Sequence, residues 1–351
     1  MNFALLKRLC EAPGTPGRED AVRAIIIEEL KPHVTDIKID AMGNVIAFKQ
    51  GTGKGTRRKV MLAAHMDEIG FMVKHIEDKG FLRLYPFGGI DTRNMFAQQV
   101  VVTTKDGPIK GLLGYATKPA HMLSDAERNQ SAQMENFFVD VGLSGDEAKK
   151  KIQVGDIVTM DRPCEEIGEN IACKAMDDRV GVYVMIEAMK NIEALECDVY
   201  AVGTVQEEVG LRGATTAAFG VNPDVGIALD VTLTGDYPGA PDADTLPKLG
   251  GGAAIKILDS SLICHPKLVE HFKDIATAKE ITHQMELLPR GGTDAGAIQR
   301  AQSGVVSITL SIPTRYVHTV NETVSPIDVD AAVNLLARYL EEAHTRDYSY
   351  V

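Results

Sequence analysis

The sequence predicts an α/β fold, an αβα sandwich with a small antiparallel β-barrel inserted into it. Residues 1–68 and 163–351 alternate short apolar runs with amphipathic helical patterns, which is typical of a sheet covered by helices. Residues 69–162 instead contain short alternating segments separated by turns such as Asp78-Lys79-Gly80, which is typical of a small barrel. We therefore predict a main domain formed by residues 1–68 and 163–351 and a β-rich insertion formed by residues 69–162.

The first part of the main domain begins with two predicted helices in residues 2–30, which are broken by the prolines and glycines of residues 13–17. A hairpin is predicted in residues 37–48. The compact apolar run at residues 59–64 predicts a buried strand, and it delivers His65-Met66-Asp67 at its carboxyl end.

The second part of the main domain returns to alternating strands and helices after the insertion. Inside the insertion, residues 118–134 are polar and without periodicity, so they predict a mobile loop. Strands are predicted at residues 171–175, 199–204, 225–229, 255–258 and 305–311, and helices at a segment ending near residue 190, at residues 266–278 and 294–301, and from about residue 328 onwards.

The charge balance disfavours two classes of partner. The chain has 37 Lys and Arg residues against 49 Asp and Glu residues, which gives a net charge of −12. Nucleic acids and anionic membranes select clustered basic residues, so neither is expected as a partner. No apolar run approaches the length of a membrane-spanning helix.

The cysteines indicate reduced thiols. The five cysteines are odd in number, scattered, and never spaced as a Cys-x-x-Cys pair. This pattern argues against a thiolate zinc site or a disulfide scaffold, and it favours a cytoplasmic location. The N-terminal charges lie inside the apolar stretch, which is wrong for a signal peptide.

Residues of the kind that bind metal ions follow several predicted strands. Open α/β sheets bind ligands at the carboxyl ends of their strands, so these side chains can converge there. A lone histidine is more often structural, and Asp177-Asp178 could simply cap a helix. The whole set is harder to explain in that way; it comprises His65, Asp177, Glu208, Asp230 and His318.

This set suits two divalent metal ions. Three carboxylates and two neutral imidazoles around two such ions give a net charge of +1. One hydroxide ion would balance this charge, and that hydroxide would be the nucleophile. Ligands without thiolate suit Zn, Co or Mn and do not choose between them.

Two further acidic residues have predicted catalytic roles. If a bend at the strand end lets both Glu207 and Glu208 reach the site, one binds metal and the other, Glu207, is free to act as general base. Asp67, two residues after His65, is placed to accept the other ring N–H of that histidine. The alternative interpretation is that Asp67 is an ordinary aspartate in a turn, with no role in the site.

At this point the chain closely resembles the M42 family of metallo-aminopeptidases, which includes tetrahedral and glutamyl aminopeptidases. The motifs that carry the resemblance occur in the family's order; they are His65–Gly70, Lys174–Gly181, Val205–Gly210, Ala228–Thr232, Gly291–Gly296 and Arg315–Thr319.

The resemblance implies a role for each residue. Asp177 would bridge both ions, His65 and Asp230 would complete one site, and Glu208 and His318 the other. Glu207 would be the base and Asp67 the partner of His65. The family also implies that the insertion mediates dimerisation and that six dimers form a tetrahedral dodecamer.

The expected function is removal of N-terminal residues from peptides with a free N-terminus. The rivals are a dinuclear-metal deacylase or carboxypeptidase of related fold and, more remotely, a non-catalytic metal-binding protein. The sequence does not indicate the preferred N-terminal residue, although the loops at residues 118–134 and 291–296 are candidate pocket walls.

Overall fold

The computed structural model describes residues 1–118, 120–240 and 246–350. Their strands form an 11-stranded mixed sheet and a separate closed barrel. The predicted fold class, an α/β sandwich with an inserted antiparallel barrel, is confirmed.

The strands are, in chain order, β1 Asp36–Ile39, β2 Val45–Lys49, β3 Lys59–His65, β4 Gly70–Ile76, β5 Leu82–Phe87, β6 Gln99–Thr104, β7 Gly107–Tyr115, β8 Phe137–Asp140, β9 Ile157–Met160, β10 Glu165–Ile167, β11 Asn170–Cys173, β12 Asp198–Thr204, β13 Val225–Leu233, β14 Ala253–Leu258, β15 His283–Leu287, β16 Val306–Arg315 and β17 Glu322–Val324. The α-helices are α1 Phe3–Glu11, α2 Asp20–Leu30, α3 Asp125–Arg128, α4 Gly145–Lys151, α5 Met176–Lys190, α6 Arg212–Val221, α7 Pro266–Ala278, α8 Asp294–Gln299 and α9 Pro326–Glu342. Among the described residues, no helix combines the length and the apolar character needed to cross a membrane.

The centre of the large sheet is parallel and its edges are antiparallel. Strands β12, β3, β13 and β16 pair in parallel. Beyond β16, strands β17 and β11 each pair antiparallel to the preceding strand. Two reversals restore the direction, so β11 points the same way as β16. Its carboxyl end therefore lies at the same edge of the sheet as the carboxyl ends of the parallel strands.

Helices cover both faces of this sheet, and β3 shows how the strand sequence divides between them. Val60, Leu62 and Ala64 belong to the core packed against α1, α2, α5, α7 and α9. Met61 and Ala63 belong to the opposite core, packed against α6 and α8. Successive side chains of a strand point to opposite faces, so a strand buried on both sides appears in sequence as one continuous apolar run.

The barrel closes in the order β4-β5-β8-β7-β6-β9 and has a core of its own, which includes Phe71, Leu84 and Phe137. All six strands fall within residues 69–162, and the domain boundaries given above remain a prediction.

The predicted loop at residues 118–134, of which residue 119 lies outside the described ranges, contains the short helix α3. The side chains of Ser124 and Glu127 cap this helix reciprocally, a signal that the sequence analysis missed.

Several strands of the large sheet differ from the predictions. Strand β13 continues to Leu233 instead of ending before Asp230, because its pairing with β16 runs on after its pairing with β3 stops at Ala228. Asp230 therefore lies inside a strand but beyond the last pair with β3. Strands β10, β15 and β17 were not predicted. Strand β15 pairs in parallel with β14 at the margin of the sheet.

Arg179 joins the N-terminal segment to the sheet. Its side chain is completely buried at the start of α5. The guanidinium donates hydrogen bonds to the carbonyl oxygens of Leu9 and Ala12 at 2.6 and 2.8 Å. It also donates to Gly14 O and to the carboxylate of Glu68, both at 3.3 Å. A buried charge of this kind stabilises the fold only while its partners remain in place.

Replacing Arg179 with Met should lower the free energy of unfolding by about 3–5 kcal/mol, because Glu68 loses one of its buried cationic partners. Urea denaturation at a fixed protein concentration measures the change. The control is Arg338→Met on α9, which removes a partly exposed ion pair with Glu341 and an exposed hydrogen bond to the carbonyl oxygen of Asn191. Because water can replace both contacts, the loss should be about 1 kcal/mol. Equal losses in the two variants would contradict this role for Arg179.

Candidate metal centre

The carboxyl edge of the sheet brings together all five predicted ligands. One group consists of His65, Asp177 and Asp230, and a second consists of Asp177, Glu208 and His318. Within each group the potential ligand atoms lie within 4.8 Å of one another. Asp177 is common to both groups, so the geometry provides two adjacent clusters that share one carboxylate.

The tautomer of His65 is set by the main chain. Its Nδ1 lies 3.1 Å from the carbonyl oxygen of Asp67, and a carbonyl can only accept a hydrogen bond. In the neutral imidazole, Nδ1 therefore carries the proton and Nε2 presents a lone pair. That lone pair faces Asp177 Oδ1 at 3.1 Å. Two acceptors this close require a proton or a cation between them.

His318 repeats this arrangement on the other side of Asp177. Its Nδ1 lies 3.0 Å from the carbonyl oxygen of Gly89. Its Nε2 faces Asp177 Oδ2 at 3.3 Å and Glu208 Oε1 at 3.5 Å. Gly89 follows strand β5 of the barrel, so the insertion itself orients a side chain of the centre.

The glycines of this barrel segment allow it to approach so closely. A Cβ atom on Gly89 would lie 2.9 Å from His318 Nδ1, and one on Gly88 would lie 2.8 Å from Glu208 Oε2. Gly88 also has a φ of +77°, a conformation that side chains disfavour. Larger residues at either position would displace the candidate ligands.

The expected bend after β12 is present. Gln206 has a φ of +57°, and the chain turns there so that Glu207 and Glu208 both reach the centre. The carboxylate of Asp67 holds this turn, accepting the main-chain N–H of Glu207 at 3.0 Å and that of Glu208 at 3.1 Å. Glu207 Oε2 lies 3.9 Å from His65 Nε2.

This geometry differs from the contact predicted for Asp67. The shorter contact with His65 Nδ1 runs through the main-chain carbonyl of Asp67, whereas its carboxylate is 3.6 Å away. The physical reason is competition, because both carboxylate oxygens already accept main-chain N–H groups from Glu207 and Glu208. Asp67 therefore positions the residues on both sides of the centre.

The carboxylates of the centre are buried close to one another, so their ionised forms are unfavourable unless a positive charge lies between them. Burial and the charge of Asp177 raise the pKa of Glu208 to about 7 and that of Asp230 well above its ordinary range. Burial is also the main cause of the raised pKa of Glu207. Each of these groups is costly to ionise in the protein alone.

The imidazoles respond in the opposite sense. Burial alone would lower the pKa of both histidines, but contacts with carboxylates outweigh it. The contact with Asp177 and the nearby carboxylates of Asp67 and Glu207 raise the pKa of His65 well above its usual value. The contacts with Asp177 and Glu208 raise the pKa of His318 to about 10. Without a metal ion, the imidazoles of His65 and His318 are therefore protonated on the side that faces Asp177.

These observations fit divalent cations. The Nε2 lone pairs of His65 and His318 both point at Asp177, and Glu208 Oε1 is buried without a hydrogen-bond partner. A donor set of carboxylate and imidazole suits Zn, Co or Mn. No cysteine belongs to either group among the described residues.

Three further acidic residues lie around the centre, and none of them was predicted to belong to it. Glu322 accepts the main-chain N–H of Asp177 at 3.0 Å and that of His318 at 2.7 Å. Asp178 accepts the N–H of His65 at 3.1 Å and that of Gly181 at 3.1 Å. Asp177 and Asp178 have non-helical backbone angles, so Asp178 caps the regular part of α5 that follows it, as the capping interpretation expected for this residue.

The third is Glu68, which pairs with Lys174 at 2.7 Å and with Arg179 at 3.3 Å. Glu68 and Asp178 each directly follow a residue assigned to the site, which is a signal that could have found them. Glu322 carries no such signal, since it meets the ligands only through folding.

A cavity of about 560 Å³ opens beside the two clusters. Its walls include Leu233, Leu288 and Arg290 together with Gly291, Gly292 and Thr293. The loop beginning at Gly291 is therefore a wall, as predicted, whereas the described residues of 118–134 do not line this cavity.

Replacing Glu322 with Gln should weaken binding of divalent cations about 10–100-fold, because the amide retains one acceptor for two main-chain N–H groups of the centre. Competition with a coloured chelator measures the change. The control is Thr323→Val, at the adjacent position, where the hydroxyl bonds only to Asn321 O among the described residues. Unchanged cation affinity in the Glu322 variant would contradict this role.

Comparison with known proteins identifies the family. A sequence profile described as M42 glutamyl aminopeptidase matches residues 43–335. A putative aminopeptidase of Acetivibrio thermocellus is 42% identical over 335 residues, covering 95% of this chain and 97% of that protein.

Solved structures agree with this assignment. An aminopeptidase from the archaeon Desulfurococcus kamchatkensis has a TM-score of 0.91 and 42% identity, covering 97% of this chain and 94% of its own. The TET1 peptidase of Pyrococcus horikoshii has a TM-score of 0.85 and 32% identity, covering 97% of this chain and 99% of its own. It is described as assembling into a tetrahedron or a large octahedral shell. The chain therefore belongs to the M42 aminopeptidase family and is a peptide hydrolase.

Proposed function

We propose that this chain is a dinuclear metal-dependent aminopeptidase that removes N-terminal residues from peptides with a free N-terminus. The observation that carries the proposal is the pair of ligand clusters sharing Asp177, with one further carboxylate, Glu207, outside both clusters. A centre that only stored metal would have no use for an additional acid 3.9 Å from a ligand nitrogen.

The ligands follow from the clusters. His65 and Asp230 with Asp177 would hold one ion, and Glu208 and His318 with Asp177 would hold the other, with Zn, Co or Mn as the ions. When bound, such ions polarise a scissile carbonyl and lower the pKa of a water molecule.

Glu207 is the proposed general base. Asp67 accepts its main-chain N–H and so fixes the start of its side chain. Burial raises the pKa of the Glu207 carboxyl, which makes its carboxylate a stronger proton acceptor. Glu207 would take a proton from the attacking water and return it to the nitrogen of the leaving amine, so its carboxylate is restored after each turnover.

A free carboxylate in the cavity would favour a free N-terminus. Glu207, which lies outside both clusters, lines the 560 Å³ cavity and would attract the α-amino group of a peptide. An acetylated peptide has no basic amine at that position. An internal peptide bond lacks it as well, so cleavage would be confined to the end of the chain.

Assembly into a homo-oligomer is part of the proposal. The TET1 peptidase is described as assembling into closed shells, and this chain matches nearly all of it. Tyr85 on β5 and Leu112 on β7 are exposed apolar residues of the barrel, which supports dimerisation through the insertion and a tetrahedral dodecamer of six dimers.

The nearest rivals, a deacylase and a carboxypeptidase, are separated by one pair of substrates. A peptide with a free amine and its N-acetylated counterpart are incubated with protein supplied with Zn²⁺, Co²⁺ or Mn²⁺. We expect release of the N-terminal residue from the first peptide alone. Release of acetate would indicate a deacylase, and release of the C-terminal residue a carboxypeptidase.

Glu207→Gln should lower turnover of the free-amine peptide by roughly 10²–10⁴-fold, because the amide cannot accept the proton. Metal content, measured by mass spectrometry of the elements after dialysis, should be unchanged. The control is Gln206→Glu, which adds a carboxylate at the preceding position, outside both clusters. Full activity in the Glu207 variant would refute its assignment as the base.

A further inference from the structure

Three of the five cysteines form a cluster that the metal centre does not use. Cys10 lies near the end of α1, Cys164 directly precedes β10, and Cys173 ends β11. All three are buried and unpaired in the structure. They share no motif, and Cys10 is far from the other two in sequence.

Strand register places two of them opposite each other. In the antiparallel pair β10–β11, Glu165 lies opposite Ala172. Continuing this register by one residue puts Cys164 opposite Cys173. Side chains directly opposite on antiparallel strands have Cβ atoms about 4.5–5.5 Å apart, which is slightly wider than the roughly 3.5–4.5 Å that a disulfide needs. A small approach of the two strands would therefore close the bond.

The three thiols are electrostatic neighbours. Cys10 and Cys164 lower the pKa of Cys173, whose Sγ donates a hydrogen bond to the carbonyl oxygen of Arg162 at 3.7 Å. The Sγ of Cys10 lies 3.6 Å from the Sδ of Met176. Cys173 is thus the thiol best stabilised as a thiolate, and the thiolate is the reactive form.

A cavity of about 440 Å³ lies beside the segments that carry the cysteines. Its lining includes one sequence neighbour of each cysteine, namely Glu11, Pro163 and Lys174. Glu11 also accepts the main-chain N–H of Cys164 at 2.9 Å. The backbone next to the cluster therefore borders a cavity.

We propose that Cys164 and Cys173 form a peroxide-sensitive dithiol. The Cys173 thiolate attacks one peroxide oxygen, the O–O bond breaks, and water leaves, so that Cys173 becomes a sulfenic acid. The sulfur of Cys164 then attacks the sulfenic sulfur, an S–S bond forms, the S–O bond breaks, and a second water leaves. The two thiols lose two electrons and two protons, and the peroxide is reduced to water.

The dithiol is linked to the metal centre through β11. On its other side Cys173 lies opposite Glu322 of β17. Glu322 holds the main-chain N–H groups of Asp177 and His318. Drawing β11 toward β10 would displace it from β17, and so would disturb the carboxylate that positions two candidate ligands.

Peptide mapping of the full-length protein tests the assignment. The protein is treated with hydrogen peroxide and then denatured in the presence of N-ethylmaleimide, which blocks the remaining free thiols. It is then digested with trypsin. Cys164 and Cys173 fall in one tryptic peptide, residues 152–174, because trypsin does not cut before Pro163. We expect that peptide to be lighter by two hydrogen atoms and to carry no maleimide, and we expect dithiothreitol added before blocking to restore both thiols.

The variants give matched controls. Cys164→Ala should abolish the loss of the two hydrogens, whereas Cys197→Ala, a buried cysteine outside the cluster, should leave it unchanged. If the Cys164→Ala variant does not fold, the peptide map of the wild-type protein alone still shows whether Cys164 and Cys173 form a disulfide. The proposal is overturned if Cys164 and Cys173 both carry maleimide after peroxide, or if Cys173 is joined instead to the peptide 9–18 that contains Cys10.

The link to the metal centre has its own measurement, and it rests on the proposed function. Turnover of a free-amine peptide should fall as the 152–174 disulfide accumulates and should recover with dithiothreitol. Unchanged turnover in fully cross-linked protein would overturn the link while the dithiol assignment stands. Absence of turnover in reduced protein would instead count against the proposed function.

Discussion

The two oxygens of Asp177 face two different imidazoles, and the rest of the centre is arranged around this carboxylate. His65 Nε2 lies 3.1 Å from one oxygen and His318 Nε2 lies 3.3 Å from the other. Both imidazoles already donate their Nδ1 protons to main-chain carbonyls. Lone pairs and a carboxylate are therefore directed at one another in a buried space, an arrangement that positive charge must compensate.

The fold supplies this arrangement by holding main-chain atoms with buried acids. Asp67 fixes Glu207 and Glu208, Asp178 fixes His65, and Glu322 fixes Asp177 and His318, each through a main-chain N–H. The barrel contributes a carbonyl from Gly89. Because the ligands come from separate strands and loops, these contacts convert a shared sheet edge into a defined geometry.

Most of the fold and the identity of the candidate ligands could be predicted from the sequence, for a physical reason. A strand buried on both faces is a continuous apolar run, and an acid or histidine at its end is conspicuous, as at His65 and Glu208. Asp230 was harder, because its strand continues past it. Glu322 and the pairing of Cys164 with Cys173 could not be predicted, since they depend on antiparallel register between short strands at the edge of the sheet. The carboxylate of Asp67 could accept from the ring N–H of His65 or from the main-chain N–H groups of Glu207 and Glu208, and spacing alone does not decide between them.

The most direct test is the number of divalent ions bound per chain by metal-free protein, measured by calorimetric titration and by elemental analysis. A shared carboxylate predicts two ions for the wild-type chain, one for a His318→Ala variant, and loss of tight binding at both sites for Asp177→Asn. A single ion in the wild-type chain, or undiminished binding of two ions by the Asp177 variant, would contradict the account.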